Sequence, residues 1–175
     1  GIQVEPSKDN PTLSKLSVKN CTVRGFWAGI RLSNVSGCQR ADETCVLEKN
    51  RFESNTQYGV QLRRRSTQII VRQNIVVDNG DEGVHISGTD ETASPVCDAN
   101  NGGFGNNLVS CNSIGEQHRE GIYLLCSGDN EIRDNCVGAG EAPDASGCPT
   151  QDETTVSCTP KTELPANGAA GIRLN

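Results

Sequence analysis

The sequence predicts an all-β fold, a parallel β-helix of about five to six rungs with three short strands in each rung. Three observations predict it: a glycine-led phrase that occurs six times, an asparagine-ended phrase that occurs five times, and a gap of nine residues from the second to the first in four cases. No window keeps apolar residues at helical spacing for three turns. We therefore expect a single solenoid domain over residues 1–175.

The glycine-led phrase, Gly-[Ile/Val]-x-[Leu/Ile/Val], has the alternation of a short strand. Its second and fourth residues are apolar and point to one face, and its third residue points to the other, since successive side chains leave opposite faces of a strand. The phrase therefore predicts one strand per rung, with an outward column formed by the third residues: Gln3, Arg31, Gln61, His85, Tyr123 and Arg173.

The asparagine-ended phrase predicts a hydrogen-bonded ladder. An asparagine at the same turn of every rung can bond the backbone of its neighbours and satisfy buried amides; the predicted ladder is Asn20, Asn50, Asn74, Asn112 and Asn135. Apolar residues recur three positions before these asparagines and two positions after them, where the series reads Thr22, Phe52, Val76, Ile114 and Val137. These recurrences predict two further strands per rung.

A left-handed turn is expected five residues beyond each asparagine, because glycine and asparagine tolerate positive φ. The residues at that position are Gly25, Asn55, Asn79, Gln117 and Gly140. A repeat of this size, near 23 residues at its shortest, cannot bury its apolar side alone, whereas stacked copies can.

With N-x-[VIF]…GI-x-L rungs over nearly the whole chain, the sequence resembles the right-handed parallel β-helix proteins of the pectate-lyase-like type. The resemblance implies a right-handed solenoid. It is a weaker guide to function, because that superfamily includes polysaccharide lyases, hydrolases and epimerases, carbohydrate-interacting proteins, phage tailspikes and noncatalytic adhesins.

Three insertions leave the solenoid, near 37–45, 88–105 and 140–168, and the cysteines gather at them. Nine cysteines without a CxxC pair, beside only two histidines, favour disulfides in an oxidising compartment over zinc. The expected local bridges join Cys38 to Cys45 and Cys148 to Cys158. Two more bridges, in a pairing that the sequence leaves open, are expected among Cys97, Cys111, Cys126 and Cys136. Cys21 is left over, either buried and free or paired outside this segment.

The outward column offers two interpretations. His85 and Tyr123 lie on adjacent rungs, and with Arg31 or Arg119 they could abstract and return a sugar C5 proton, as polysaccharide lyases and epimerases do. Alternatively, outward positions are polar because they form a solvated face. We favour the second interpretation, because neither a GHG arrangement with paired aspartates nor a DPHD-like motif is present.

Three residues are candidates for carbohydrate binding. Trp27 either stacks on a sugar ring or caps the apolar core, and Gln61 and Arg173 are the other candidates for carbohydrate binding. No cofactor or metal is expected; calcium among Asp78, Asp81 and Glu82 is the weaker alternative. The formal charge of −6 argues against nucleic acid, and no apolar run approaches the roughly 18 residues of a membrane span.

Two Asn-x-Ser/Thr sequences occur, at Asn20 and Asn34. Asn20 is expected to be inaccessible in the ladder, whereas Asn34 lies at a predicted turn where it could carry a glycan. The chain begins and ends on the same strand phrase, which indicates either a segment of a longer solenoid or end-to-end stacking of a second copy.

The sequence thus predicts a noncatalytic, disulfide-braced scaffold of an extracellular, cell-surface or periplasmic protein, or of a filament-like appendage, that contacts carbohydrate. The alternative is a polysaccharide lyase or epimerase acting on an acidic polysaccharide.

Overall fold

The computed structural model describes residues 1–6, 13, 15–35, 45–64, 66–88, 105–138 and 172–174. In these ranges the chain forms sixteen strands in three parallel sheets. Sheet 1 contains β1 (Ile2–Val4), β4 (Ala28–Ser33), β7 (Tyr58–Arg63), β10 (Val84–Ser87), β13 (Ile122–Leu125) and β16 (Ile172–Leu174). Sheet 2 contains β2 (Leu16–Lys19), β5 (Cys45–Glu48), β8 (Ile69–Arg72), β11 (Leu108–Ser110) and β14 (Glu131–Arg133). Sheet 3 contains β3 (Thr22–Arg24), β6 (Arg51–Glu53), β9 (Ile75–Val77), β12 (Ser113–Gly115) and β15 (Cys136–Val137).

The chain visits sheets 2, 3 and 1 in turn, so three consecutive strands make one rung. Each strand pairs in parallel with its equivalent in the next rung. The predicted all-β fold, with three short strands per rung, is therefore confirmed.

The core lies between the three sheets and consists of one inward side chain or two from each of β1 to β15. Sheet 1 contributes Ile30, Leu32, Val60 and Leu62, all fully buried, as the glycine-led phrase predicts. Sheet 2 contributes Leu47 and Val71, and sheet 3 contributes Phe52 and Val76. Each buried Val, Leu or Ile of this kind stabilises the fold by about 1.5–3 kcal/mol relative to leaving it exposed.

Four asparagines form a continuous ladder at the turn between sheets 2 and 3. In each of the three steps, the Oδ1 atom of the later asparagine accepts hydrogen bonds from the backbone N–H and the Nδ2 group of the earlier one, at 2.9–3.0 Å. Its own Nδ2 donates to a carbonyl of the previous rung, for example from Asn74 to Leu47 at 2.9 Å. The four are Asn50, Asn74, Asn112 and Asn135.

The prediction that Asn20 continues this ladder is wrong. The register pairs Lys19 with Glu48, which sets Asn20 opposite Lys49 and Cys21 opposite Asn50. Asn20 has φ 56° and Lys49 has φ 55°, so Asn20 supplies the left-handed turn residue. Asn20 is exposed, and the backbone N–H of Cys21 donates to Asn50 Oδ1 at 3.1 Å.

The same one-residue shift corrects the strand that follows. Val23, rather than Thr22, pairs with Phe52 and enters the core. Phe26 then falls opposite Asn55 and Ala28 opposite Tyr58, so this rung is one residue shorter at its last turn. The gap from Asn20 to Gly29 is still nine residues for two reasons that cancel. Asn20 lies one residue before the ladder position, and the last turn of this rung is one residue shorter than that of the next rung.

A second ladder lies at the turn between sheets 3 and 1, where the sequence predicts residues in the left-handed conformation. Asn55, Asn79 and Gln117 instead bond one another through their side chains, at 2.9 and 3.1 Å. The positive φ belongs to the residue before each of them, Ser54, Asp78 and Glu116, whereas Gly25, with φ 76°, is left-handed as expected. Gly140 lies outside the described residues. A third ladder, from Asn107 to Asn130, was not predicted.

Five of the nine cysteines are described. Cys45, Cys126 and Cys136 are disulfide-bonded, while the pairing among the predicted bridges stays a prediction, because Cys38, Cys97, Cys148 and Cys158 lie outside the described residues. Cys111 is free, which corrects its assignment to a bridge; it has φ 55° and occupies the left-handed turn position just before a ladder asparagine. Cys21 is free but exposed, so the expectation of a buried thiol is wrong.

Most of the three predicted insertions also fall outside the described ranges. Within those ranges, no helix has the length and apolar character needed to cross a membrane. Ile172 and Leu174 of β16 are 49% and 69% exposed. Stacking of further rungs or of a second copy stays a prediction.

Candidate functional site

The strand pairing of sheet 1 sets the predicted outward column in line. Each third residue of the glycine-led phrase lies directly opposite the next, from Gln3 through Arg31, Gln61, His85 and Tyr123 to Arg173. The column is not uniformly solvated, since Gln61 is fully buried and His85 is only 4% exposed. The interpretation of this surface as a solvated face is therefore wrong for its central rungs.

An aromatic row crosses the rungs of sheet 1 and consists of Trp27, Tyr58, His85 and Tyr123. Neighbouring ring centroids lie 5.1, 4.9 and 5.3 Å apart, in edge-on or tilted arrangements that aromatic pairs favour. The expected contact between His85 and Tyr123 is present in this row. Tyr58 was missed by the sequence analysis, although it directly precedes Gly59 and so shares a repeat position with two acidic residues.

Those two acidic residues, Glu82 and Glu120, directly precede Gly83 and Gly121. The register aligns them with Tyr58 along the outer side of sheet 1, and they are only 2% and 1% exposed. The Glu82 carboxylate lies beside the imidazole of His85, with 3.5 Å between Oε2 and Nδ1. Buried carboxylates need compensating partners, and Arg119 and Arg173 provide them.

Arg119 bridges the two carboxylates. Its guanidinium lies 3.4 Å from Glu82 Oε1 and 3.5 Å from Glu120 Oε2, and it donates a hydrogen bond to Asp81 Oδ1 at 3.1 Å. Arg173 donates to the other oxygen of Glu120 at 3.0 Å. We call Asp81, Glu82, Arg119, Glu120 and Arg173 the ion-pair cluster. The arginines thus supply the positive charge that burial of the carboxylates demands.

Electrostatic effects within the ion-pair cluster oppose one another. Burial raises the pKa of Asp81, the charge of Glu82 raises it further, and Arg119 offsets only part of this. Burial also opposes the charge of Arg119, but Asp81 and Glu82 outweigh it and raise the pKa of its guanidinium. Arg119 therefore stays cationic and acts as the central counterion of the cluster.

The structure separates the four candidate catalytic residues into two groups. His85, Tyr123 and Arg119 come together, because His85 contacts Tyr123 and both His85 and Arg119 contact Glu82. Arg31 lies two positions away from His85 in the column, and its guanidinium lies over the Trp27 ring, 5.2 Å from the centroid. Arg31 thus belongs to the first rung, at the other end of the aromatic row.

The three calcium candidates have polar partners within the protein, and the calcium alternative stays a prediction. Asp81 is engaged by Arg119, and Asp78 Oδ2 accepts a hydrogen bond from Ser54 Oγ at 2.9 Å. Within the described ranges, no group of three or more His, Cys, Asp or Glu side chains is arranged to hold a metal ion.

Trp27 lies outside the core, so the interpretation that it caps the apolar interior is wrong. It is 41% exposed, and the preceding residue, Phe26, is 49% exposed. The turn that carries them is held by the next rung: the backbone carbonyl of Phe26 accepts from Thr56 N at 2.7 Å, and that of Trp27 accepts from Gln57 N at 3.0 Å. Two exposed rings therefore stand on a fixed backbone at one end of the aromatic row.

Comparison with known proteins agrees with this architecture. No curated protein and no solved structure gives a significant match. A family model described as a right handed beta helix region matches residues 9–98, more than half of the 175-residue chain. With its three parallel sheets stacked rung on rung, the chain belongs to the right-handed β-helix family.

Proposed function

We propose that this solenoid is a noncatalytic scaffold of an extracellular, cell-surface or periplasmic protein that contacts acidic carbohydrate through the turn before β4. The observation that carries the proposal is the exposed pair of rings at Phe26 and Trp27, with the Arg31 guanidinium over the Trp27 ring at 5.2 Å. Large exposed aromatic side chains that share a patch with a cation are typical of a binding surface.

The chemistry of this turn suits an acidic sugar. The apolar face of a sugar ring can pack on an exposed aromatic ring, which offers a large contact area at low conformational cost. An arginine beside the ring can bond a sugar carboxylate with two parallel N–H groups. Because the turn is anchored to Thr56 and Gln57, little ordering is required on binding.

The central rungs support a noncatalytic role. A general base must come within hydrogen-bond reach of the proton that it removes, but His85 is 4% exposed and packs between Tyr58 and Tyr123. The Glu82 carboxylate is committed to Arg119 as well as to His85. These contacts brace the surface between the third and fourth rungs.

Binding of alginate, pectin and glycosaminoglycans by the full chain, measured by calorimetry, tests the proposal. Trp27→Ala should weaken binding about tenfold or more, since losing one aromatic contact costs about 1.4 kcal/mol. Arg31→Ala should also weaken binding, and the weakening should shrink at high salt. Arg24→Ala is the matched control, because Arg24 is an exposed arginine on sheet 3. Unchanged affinity of the Trp27 variant would remove the basis of the proposal.

The alternative function, a polysaccharide lyase or epimerase, is favoured by one observation: the His85 imidazole lies between two tyrosine rings with Glu82 3.5 Å from Nδ1. Absorbance of an unsaturated product, for a lyase, or exchange of the C5 hydrogen with solvent, for an epimerase, would detect turnover. If the chain shows turnover and a folded His85→Ala variant loses it, the noncatalytic proposal fails.

A further inference from the structure

The turn between β2 and β3 presents Asn20 to solvent. Asn20 has φ 56° and uses its backbone N–H within the sheet, donating to Glu48 O at 3.3 Å. The ladder position belongs to the following residue, Cys21, whose N–H donates to Asn50 Oδ1. The Asn20 side chain is therefore excluded from the interior and lies on the outer surface of the first rung.

The two residues after Asn20 complete an acceptor sequence. Asn20-Cys21-Thr22 fits Asn-x-Ser/Thr, which marks an N-glycan acceptor on a surface turn. All three residues are exposed. The Cys21 thiol is free, so no disulfide holds the middle of the tripeptide.

We propose that Asn20 is an N-glycosylation site whose glycan stands on the outer surface of the first rung. The inference rests on the proposed extracellular or cell-surface location of the chain. The reaction partner is an oligosaccharide linked to a lipid diphosphate. Asn20 Nδ2 forms a bond to the reducing-end carbon of the sugar and loses a proton, while the bond from that carbon to the diphosphate oxygen breaks and the lipid diphosphate leaves.

The second Asn-x-Ser/Thr sequence of the chain provides an internal comparison. Asn34 also has positive φ but is half-buried. The residue after it, Val35, is fully buried, and its N–H donates to Ser66 Oγ at 3.3 Å. A glycan at Asn34 would be attached to a tripeptide that is partly packed into the core. A glycan at Asn20 would be attached to a tripeptide whose three residues are all exposed.

The test is secretion of the full chain from a eukaryotic host, followed by peptide mass mapping before and after treatment with peptide N-glycosidase. The peptide with Asn20 should carry hexosamine-containing glycan and show the conversion of asparagine to aspartate on release. Thr22→Ala should abolish this glycan while leaving Asn20 and its turn in place. Asn34→Gln should leave it unchanged. Polysaccharide binding at Trp27 is measured separately, so either proposal can fail while the other is still tested.

Thermal unfolding of the secreted protein tests whether the fold accommodates the glycan. The untreated and the enzymatically released samples should unfold at the same temperature, within the error of the measurement. A secreted, folded chain with unmodified Asn20 would overturn the inference, whatever the state of Asn34. Retention of the glycosylated chain with loss of its β-sheet circular dichroism, restored by Thr22→Ala, would overturn it as well.

Discussion

Asn112 Oδ1 accepts two hydrogen bonds from Asn74, one from the backbone N–H and one from Nδ2, both at 3.0 Å. Asn74 stands in the same relation to the rung before it: its Oδ1 accepts twice from Asn50, and its Nδ2 donates to Leu47 O. Asn74 is only 1% exposed. Each ladder amide therefore satisfies buried backbone groups of the rung before it. Its Nδ2 group also donates to the ladder side chain of the rung after it.

Asn74→Ala should destabilise the chain by about 3 kcal/mol. The substitution leaves the Leu47 carbonyl and the Asn50 N–H buried without these partners, and each orphaned buried group costs about 1–3 kcal/mol. Urea denaturation followed by circular dichroism measures the loss. Asn20→Gly is the matched control, with an expected change under about 1 kcal/mol, because Asn20 is exposed and glycine suits its positive φ. Equal losses in the two variants would contradict the assignment of the ladder.

The fold was largely predictable because its repeat has a short period. In sheet 1 the glycine-led phrase specifies both the strand and the register, since a one-residue slip would turn Ile30 and Leu32 out of the core. In the first rung the spacing predicts the wrong ladder residue, because Asn20 reproduces the ladder's spacing while taking the adjacent, left-handed position. The pairing of Lys19 with Glu48 and the hydrogen bond from Cys21 N to Asn50 Oδ1 distinguish the two assignments.

The candidate site was less predictable, because it depends on contacts between rungs. Glu82 and Glu120 precede glycines in the sequence, but their burial becomes understandable only with Arg119 between them. Tyr58 shares their repeat position and lies between Trp27 and His85. A search for recurring residues just before the glycines would have identified all three.

Gly59→Ala should destabilise the chain by about 1–3 kcal/mol through overpacking. A Cβ at this position would lie 2.3 Å from Val76 Cγ1 and 2.8 Å from Gly83 O. Gly25→Asn is the control, because nothing lies within 4 Å of its Cβ position and asparagine tolerates φ 76°. Adding Val76→Ala to Gly59→Ala should cost less than the sum of the two single changes; strict additivity would exclude the clash.

Alkylation of the native chain without reductant should distinguish the described cysteines. Cys21 is exposed and free, so iodoacetamide should label it first, and Cys111, which is free and half-buried, should follow more slowly. Cys45, Cys126 and Cys136 are disulfide-bonded and should be labelled only after reduction. Peptide mass mapping over time provides the order. Labelling of Cys45 before reduction, or persistent protection of Cys21, would contradict these thiol assignments.

Glu48 should make the stability of the chain depend on acidic pH. Its carboxylate lies 2.7 Å from Lys19 Nζ and accepts a hydrogen bond from Arg72 Nε at 2.7 Å. The Lys19 contact, with help from Arg72 and against the effect of burial, lowers the pKa of Glu48 below its ordinary value of 4.5. The stabilisation is therefore fully present above about pH 4.5 and is lost as the pH falls through the lowered pKa of the folded state.

Glu48→Gln should then cost about 1 kcal/mol or less at pH 7, the usual range for a pair with an exposed partner such as Lys19. The difference from the unaltered chain should shrink as the pH falls well below 4.5, because both chains then carry a neutral side chain at this position. Urea denaturation at several pH values measures it, with Glu131→Gln, a change at a 64% exposed side chain, as the control. A difference that stays constant across this pH range would show that the carboxylate acts through packing rather than through its charge.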